Sequence, residues 1–67
     1  MDLIINGEQV KVADTVSTIT DLLGLFNMQE KVVIVEANGL IIDRTAHSVT
    51  RICDGDKIEI VHFVGGG

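Results

Sequence analysis

Few side chains in this sequence are equipped for chemistry, and they are scattered along it. The candidates are one cysteine, Cys53, two histidines, His47 and His62, and the carboxylates of Asp54 and Asp56. Nucleophilic catalysis requires a nucleophile, a base and an orienting group within hydrogen-bond reach of one another. Here His47 and His62 are separated by a strand-forming segment, and Asp54 and Asp56 flank Gly55 in a turn, where aspartates favour bonds to nearby backbone. A lone cysteine cannot make an intramolecular disulfide, and the Cys and His spacing matches no metal-ligand pattern. With two aspartates beside it a thiolate is disfavoured, so Cys53 is expected to serve as a small buried apolar residue. The remaining reactive group is a main-chain one. Val64 is followed by Gly65, Gly66 and Gly67; no side chain crowds the carbonyl carbon of a glycine carboxylate, and such glycines can lie in a narrow channel. Three glycines are expected to form a mobile thread that carries this carboxylate about 10 Å beyond the fold, at roughly 3.3–3.6 Å per residue, far enough to enter another protein's active site.

Something must hold that thread. The chain of 67 residues is one small domain, too short for separate catalytic and substrate domains and without disulfides, so packing must supply its stability. Ile and Val together number 18 against 5 Leu, with no Pro, Trp or Tyr, which weights the chain toward strands. Ten acidic against five basic residues give a net charge of −5. That argues against nucleic acid, whose phosphates call for a basic face, and suits an electropositive protein partner. The opening Met1-Asp2-Leu3-Ile4-Ile5-Asn6 has no basic leader and too short an apolar run for a signal peptide or membrane span, so a cytoplasmic location is expected.

Residues 2–6 and 8–12 alternate in polarity around Asn6-Gly7, which predicts a β-hairpin with a type I′ turn, Val10 and Val12 inward and Gln9 and Lys11 outward. Between Asp14 and Met28 the period becomes helical, with Val16, Ile19, Leu22, Leu23 and Phe26 on one stripe, Ser17 or Thr15 as the cap and Asn27 as the left-handed terminator. Lys31 to Ala37 reads as a central strand, closed by Asn38-Gly39 and followed by a short return strand from Leu40 to Asp43. Arg44 to Ile52 reads as a connection that holds at most a turn of helix, anchored by Ile42, Val49 and Ile52. Asp54-Gly55-Asp56 turns into the last strand, Ile58 to Val64. The order β-β-α-β-β-β, with the last strand returning to the middle, gives an α+β fold: a mixed sheet of four to five strands with one helix packed across one face, the β-grasp arrangement of ubiquitin-like proteins.

Several segments resemble one family in particular. Ile5-Asn6-Gly7-Glu8, Thr18-Ile19-Thr20-Asp21-Leu22-Leu23, Val33-Ile34-Val35-Glu36-Ala37-Asn38-Gly39, Cys53-Asp54-Gly55-Asp56-Lys57-Ile58-Glu59-Ile60-Val61 and the closing His62-Phe63-Val64-Gly65-Gly66 are similar to the ThiS family, the sulfur carriers of thiamine biosynthesis. The resemblance implies a β-grasp domain over residues 1–64, a flexible glycine tail over 65–67, and no catalysis or bound cofactor of its own. It further implies that an adenylating enzyme of the ubiquitin-activating type uses ATP to convert the carboxylate of Gly67 to an acyl-adenylate. Sulfur that originates from a cysteine desulfurase then displaces AMP, leaving a thiocarboxylate for thiazole synthase. The family pattern has two terminal glycines and this chain three, so the functional pair is Gly66 and Gly67 with Gly65 as extra thread. Two alternatives share the diglycine end: the small subunit of molybdopterin synthase, typically longer around the helix, and a ubiquitin-like modifier that is joined to lysines through Gly67. A carrier must also be recognised. Strand parity turns Ile4, Ile34, Val61 and Phe63 outward on the first, third and last strands, where they are expected to form one apolar docking patch beside the tail.

Overall fold

Asn6-Gly7 and Asn38-Gly39 each turn the chain with positive φ at both residues, 50° and 84° in the first pair and 51° and 86° in the second. That geometry lets a two-residue hairpin follow the twist of its strands. In the computed structural model, which describes residues 1–29 and 31–63, the first pair joins β1 (Asp2–Ile5) to β2 (Glu8–Lys11) and the second joins β3 (Val33–Ala37) to β4 (Leu40–Ile42). Between the hairpins lies α1 (Ile19–Leu25); a 3-10 turn (Arg44–Ala46) precedes β5 (Lys57–His62). The sheet order is β2-β1-β5-β3-β4. β5 runs parallel to β1 and antiparallel to β3, so the last strand lies at the centre of a five-stranded mixed sheet. This is the β-grasp arrangement. The expected tail, Gly65 to Gly67, lies outside the described residues, as does Val64.

Alternation in the strands divides the sheet into two faces. Leu3 and Ile5 of β1, Val35 of β3 and Ile58 and Ile60 of β5 point to the helix side and are buried with Ile19, Leu22 and Leu23 of α1. Val12 and Ile52 complete this core, and Val10, Val16, Met28, Val33 and Ala37 pack around it. Gln9 and Lys11 face outward as the alternation predicts.

The helix is shorter than its stripe of apolar residues. Asp14 to Ser17 form turn and loop, and the cap is Thr18, not Ser17 or Thr15. Thr18 accepts the Asp21 N–H at 3.2 Å, while Asp21 accepts the N–H groups of Ser17 and Thr18 at 3.1 and 3.3 Å and the Ser17 hydroxyl at 3.1 Å. These bonds make a capping box, in which cap and third residue satisfy each other's backbone. At the far end Asn27, with φ 58°, closes a Schellman motif: its N–H reaches the Gly24 carbonyl and that of Met28 reaches Leu23, at 3.1 and 2.8 Å. Phe26 is therefore the C-cap rather than a stripe residue and remains exposed.

The ring of donors holds the Asp21 carboxyl below its ordinary 3.8, with the Ser17 N–H the largest cause, then the Ser17 hydroxyl and the Thr18 N–H. A lowered native pKa contributes stability that is present above the unfolded value and lost as pH falls through the native one. Asp21→Asn is accordingly expected to flatten the decline of Tm with pH below about pH 4, while leaving the pH dependence near neutrality unchanged. Thermal unfolding followed by circular dichroism across that range checks it.

The connection from 44 to 52 is anchored differently from expectation. Val49 is 72% exposed, and the buried anchor beside Ile52 is His47. The imidazole Nε2 lies 3.1 Å from the Ile42 carbonyl, and the His47 carbonyl accepts the Thr20 N–H at 3.1 Å, which ties this loop to α1. A histidine can fill space and satisfy a carbonyl at once, whereas Val49 could do only the first. Cys53 is likewise exposed, not in the core. Its neighbour Ile52 takes the buried position, and the Cys53 N–H is held by Asp56 at 2.8 Å in the turn before β5.

Candidate functional site

β5 is the last described strand and is paired on both flanks, with β1 and with β3. Its inward residues Ile58 and Ile60 lock it to the core, and His62, at its end, is half-buried with the same parity. Its outward residues are Lys57, Glu59 and Val61, followed by Phe63, whose N–H donates to the Val32 carbonyl at 3.2 Å.

Register decides which outward residues meet. β5 pairs Val61 with Ile34 and His62 with Val33, so Val61, Ile34, Phe63 and Val32 gather on the outer face at the C-terminal end of β5. Each is 44–63% exposed. Val32 was not among the expected patch residues; it lies one step before β3 and joins the group through the Phe63 bond. Ile4 is exposed as parity requires, but its partner on β5 is Lys57. That is four residues before Val61, about 13 Å along a strand. The structure thus brings three of the four expected patch residues together and sets Ile4 apart, with Lys57 and Glu59 between.

One further feature escaped sequence reasoning. Glu36 and Glu59 are direct partners on β3 and β5, and among the described residues neither is ion-paired. Like charges directly opposite in a sheet are unfavourable by roughly 0.2–1 kcal/mol. The pair borders the apolar cluster, so this face presents apolar surface with an acidic edge. Alternation alone shows that both glutamates face outward; only the register shows that they face each other.

The other chemistry-bearing side chains are occupied structurally. Asp54 accepts the Asp2 N–H at 2.6 Å, Asp56 accepts the Cys53 N–H and the Asn38 amide at 2.8 and 3.1 Å, and His47 is the loop anchor described above. A groove of about 350 Å³ on the helix side, between the first hairpin, Phe26, Met28 and Ile60, has Glu8 as its sole ionisable lining residue. It offers packing rather than acid–base chemistry. No described helix is long and apolar enough to cross a membrane.

Comparison with known proteins agrees with the β-grasp fold. Residues 3–67 match the sequence model of the ThiS family. A sulfur carrier protein ThiS from Bacillus subtilis is 48% identical over 63 residues, covering 94% of this chain and 96% of the relative. A thiazole synthase from Paramagnetospirillum magneticum is 39% identical over 67 residues; the match takes in all of this chain but only 20% of that protein. Among solved structures, the crystal structure of a thiamine biosynthesis protein (ThiS) from Geobacter metallireducens superposes with a TM-score of 0.83 at 38% identity, covering 100% of both chains.

Proposed function

The chain belongs to the ThiS family, and from that premise we propose that it is a cytoplasmic sulfur carrier for the thiazole moiety of thiamine, with the carboxylate of Gly67 as its working group. A carboxylate oxygen of Gly67 attacks the α-phosphorus of ATP on an adenylating enzyme, the bond to pyrophosphate breaks, and an acyl-adenylate forms. Hydrosulfide, or a persulfide drawn from a cysteine desulfurase and afterwards cleaved by a thiol, attacks the acyl carbon and expels AMP. The product is a terminal thiocarboxylate, whose sulfur passes to thiazole synthase. The carrier contributes a terminus that fits a narrow channel and a face that docks; ATP and the sulfur donor are handled by its partners.

The observation that carries this reading is a family match that runs through the glycines to residue 67, beside 48% identity to a sulfur carrier. The partnership with thiazole synthase draws support from the relative of that name, which contains a segment similar to this whole chain. Intact-mass measurement after incubation with ATP, an adenylating enzyme of the ubiquitin-activating type and sulfide tests the proposal. The expected result is a free protein in which one oxygen has been replaced by sulfur. Conjugates of higher mass on lysines would instead identify a modifier.

Docking is assigned to Val32, Ile34, Val61 and Phe63, with Glu36 and Glu59 as the acidic edge; a partner surface with an apolar centre and a basic rim complements it. Phe63→Ser is expected to raise the KM for the carrier about tenfold or more, as loss of a central aromatic anchor does. Because Phe63 is 55% exposed, stability should stay within about 0.5 kcal/mol of wild type. Urea titration beside loading kinetics separates the two effects.

A further inference from the structure

β1 accompanies β5 only at its start. The parallel register pairs Ile4 with Lys57 and Ile5 with Ile58, and the first hairpin then turns away at Asn6-Gly7. From there the Asn6 side chain stands in for a strand. Its Oδ1 accepts the Ile60 N–H at 2.8 Å, its Nδ2 donates to the Ile60 carbonyl at 3.2 Å, and its own N–H donates to the Ile58 carbonyl at 3.0 Å. A carboxamide carries the same donor and acceptor as a peptide group, so it continues the pairing past the end of β1. Asn38 of the second hairpin does the corresponding work at the start of β5. It accepts the Lys57 N–H at 3.0 Å, donates to the Asp56 carboxylate at 3.1 Å, and its backbone N–H reaches the Lys57 carbonyl at 2.8 Å.

Turn geometry alone does not demand this residue. Gly or Asp tolerates the same positive φ at the first turn position, but neither supplies both a donor and an acceptor to Ile60. Beyond Ile60 the pairing of β5 is with β3, through Val61, His62 and Phe63. Resting on the sulfur-carrier reading, we infer that Asn6 is a positioning residue for the loading reaction: by clasping Ile60 it fixes the course of β5 into Val61 and Phe63, and with it the face that the activating enzyme binds. Without the clasp the strand end is tethered from one side, and only the fraction of molecules on the productive course binds well. The loss falls on association, because a carboxylate that has reached the site reacts as before.

The test is steady-state loading with ATP, sulfide and an adenylating enzyme of the ubiquitin-activating type, on the wild-type chain and on Asn6→Gly, Asn6→Asp and Asn38→Gly. Both Asn6 variants are expected to raise KM about 5- to 10-fold with kcat within about twofold, and to speed amide exchange at Ile60. Asn38→Gly removes matched bonds at the far end of the same strand, so it lowers stability comparably but leaves KM near wild type. Asn6→Asp keeps the acceptor for the Ile60 N–H and decides the question should Asn6→Gly fail to fold. An unchanged KM in the folded Asn6 variants, or an equal rise in Asn38→Gly, overturns the inference. A wild-type chain that gains no sulfur overturns the carrier reading itself, and this inference with it.

Discussion

Deletion of Gly67 is expected to abolish sulfur loading while leaving the fold as it is. The deletion moves the carboxylate back by one residue, about 3.5 Å, and displacements of about 1 Å from a productive geometry already cost on the order of 10²-fold in rate. The new end is still a glycine carboxylate, with the same intrinsic reactivity, so any loss reports distance alone. The core that holds the sheet and helix together comprises residues 3 to 60, hence circular dichroism and the urea midpoint should match wild type. Mass spectrometry of the truncated chain after incubation with ATP, activating enzyme and sulfide is the measurement. Full loading of the truncated chain would show that the reactive carboxylate tolerates a shift of one residue and that Gly65 to Gly67 are interchangeable thread.

Ile58→Ala should have the opposite profile, disrupting the scaffold without touching the terminus. Ile58 is wholly buried on the central strand, with Leu3, Ile19, Leu22 and Val35 as its companions among the fully buried side chains. Removing three buried carbons leaves a cavity in a core that cannot fully collapse, at a cost of about 2–5 kcal/mol. A domain of this size has a total stability of about 3–10 kcal/mol, so much of the population unfolds at modest urea concentrations. The chain has no Trp or Tyr, so far-UV circular dichroism is the natural probe. Ile41→Ala, on the exposed return strand, is the control and should change stability by no more than about 0.5 kcal/mol.

The elements themselves were legible where a local rule governs them. Two Asn-Gly pairs fix two hairpins because few residues tolerate positive φ twice in succession, and alternation in β1, β2 and β5 assigns each side chain to a face. What could not be read depends on partners distant in sequence. Parity shows Ile4 outward but not that it faces Lys57. Nor does it show that Glu36 faces Glu59. The helical stripe from Val16 to Phe26 contains the right core residues, yet its ends follow from capping bonds, with Thr18 and Asp21 competing successfully for the N-terminus and Asn27 stopping the helix before Phe26. His47 looked like a stray ionisable group, and Val49 like an anchor, because nothing local announces that the Ile42 carbonyl needs a donor there.

Placing the final strand between the first and the third has a consequence for how the protein is made. β1 and β3 cannot close into one sheet until residues 57–62 arrive, and β1 meets β5 across more than fifty residues of chain. Pairing between such remote segments forms late, since loop closure must precede it. A nascent chain interrupted before β5 therefore leaves the flanking edges of β1 and β3 unpaired and the core without Ile58 and Ile60, which exposes it to aggregation and proteolysis. Only a chain that includes β5 can join the two hairpins into one sheet, so the strand order makes folding wait for the segment synthesised after all the other strands.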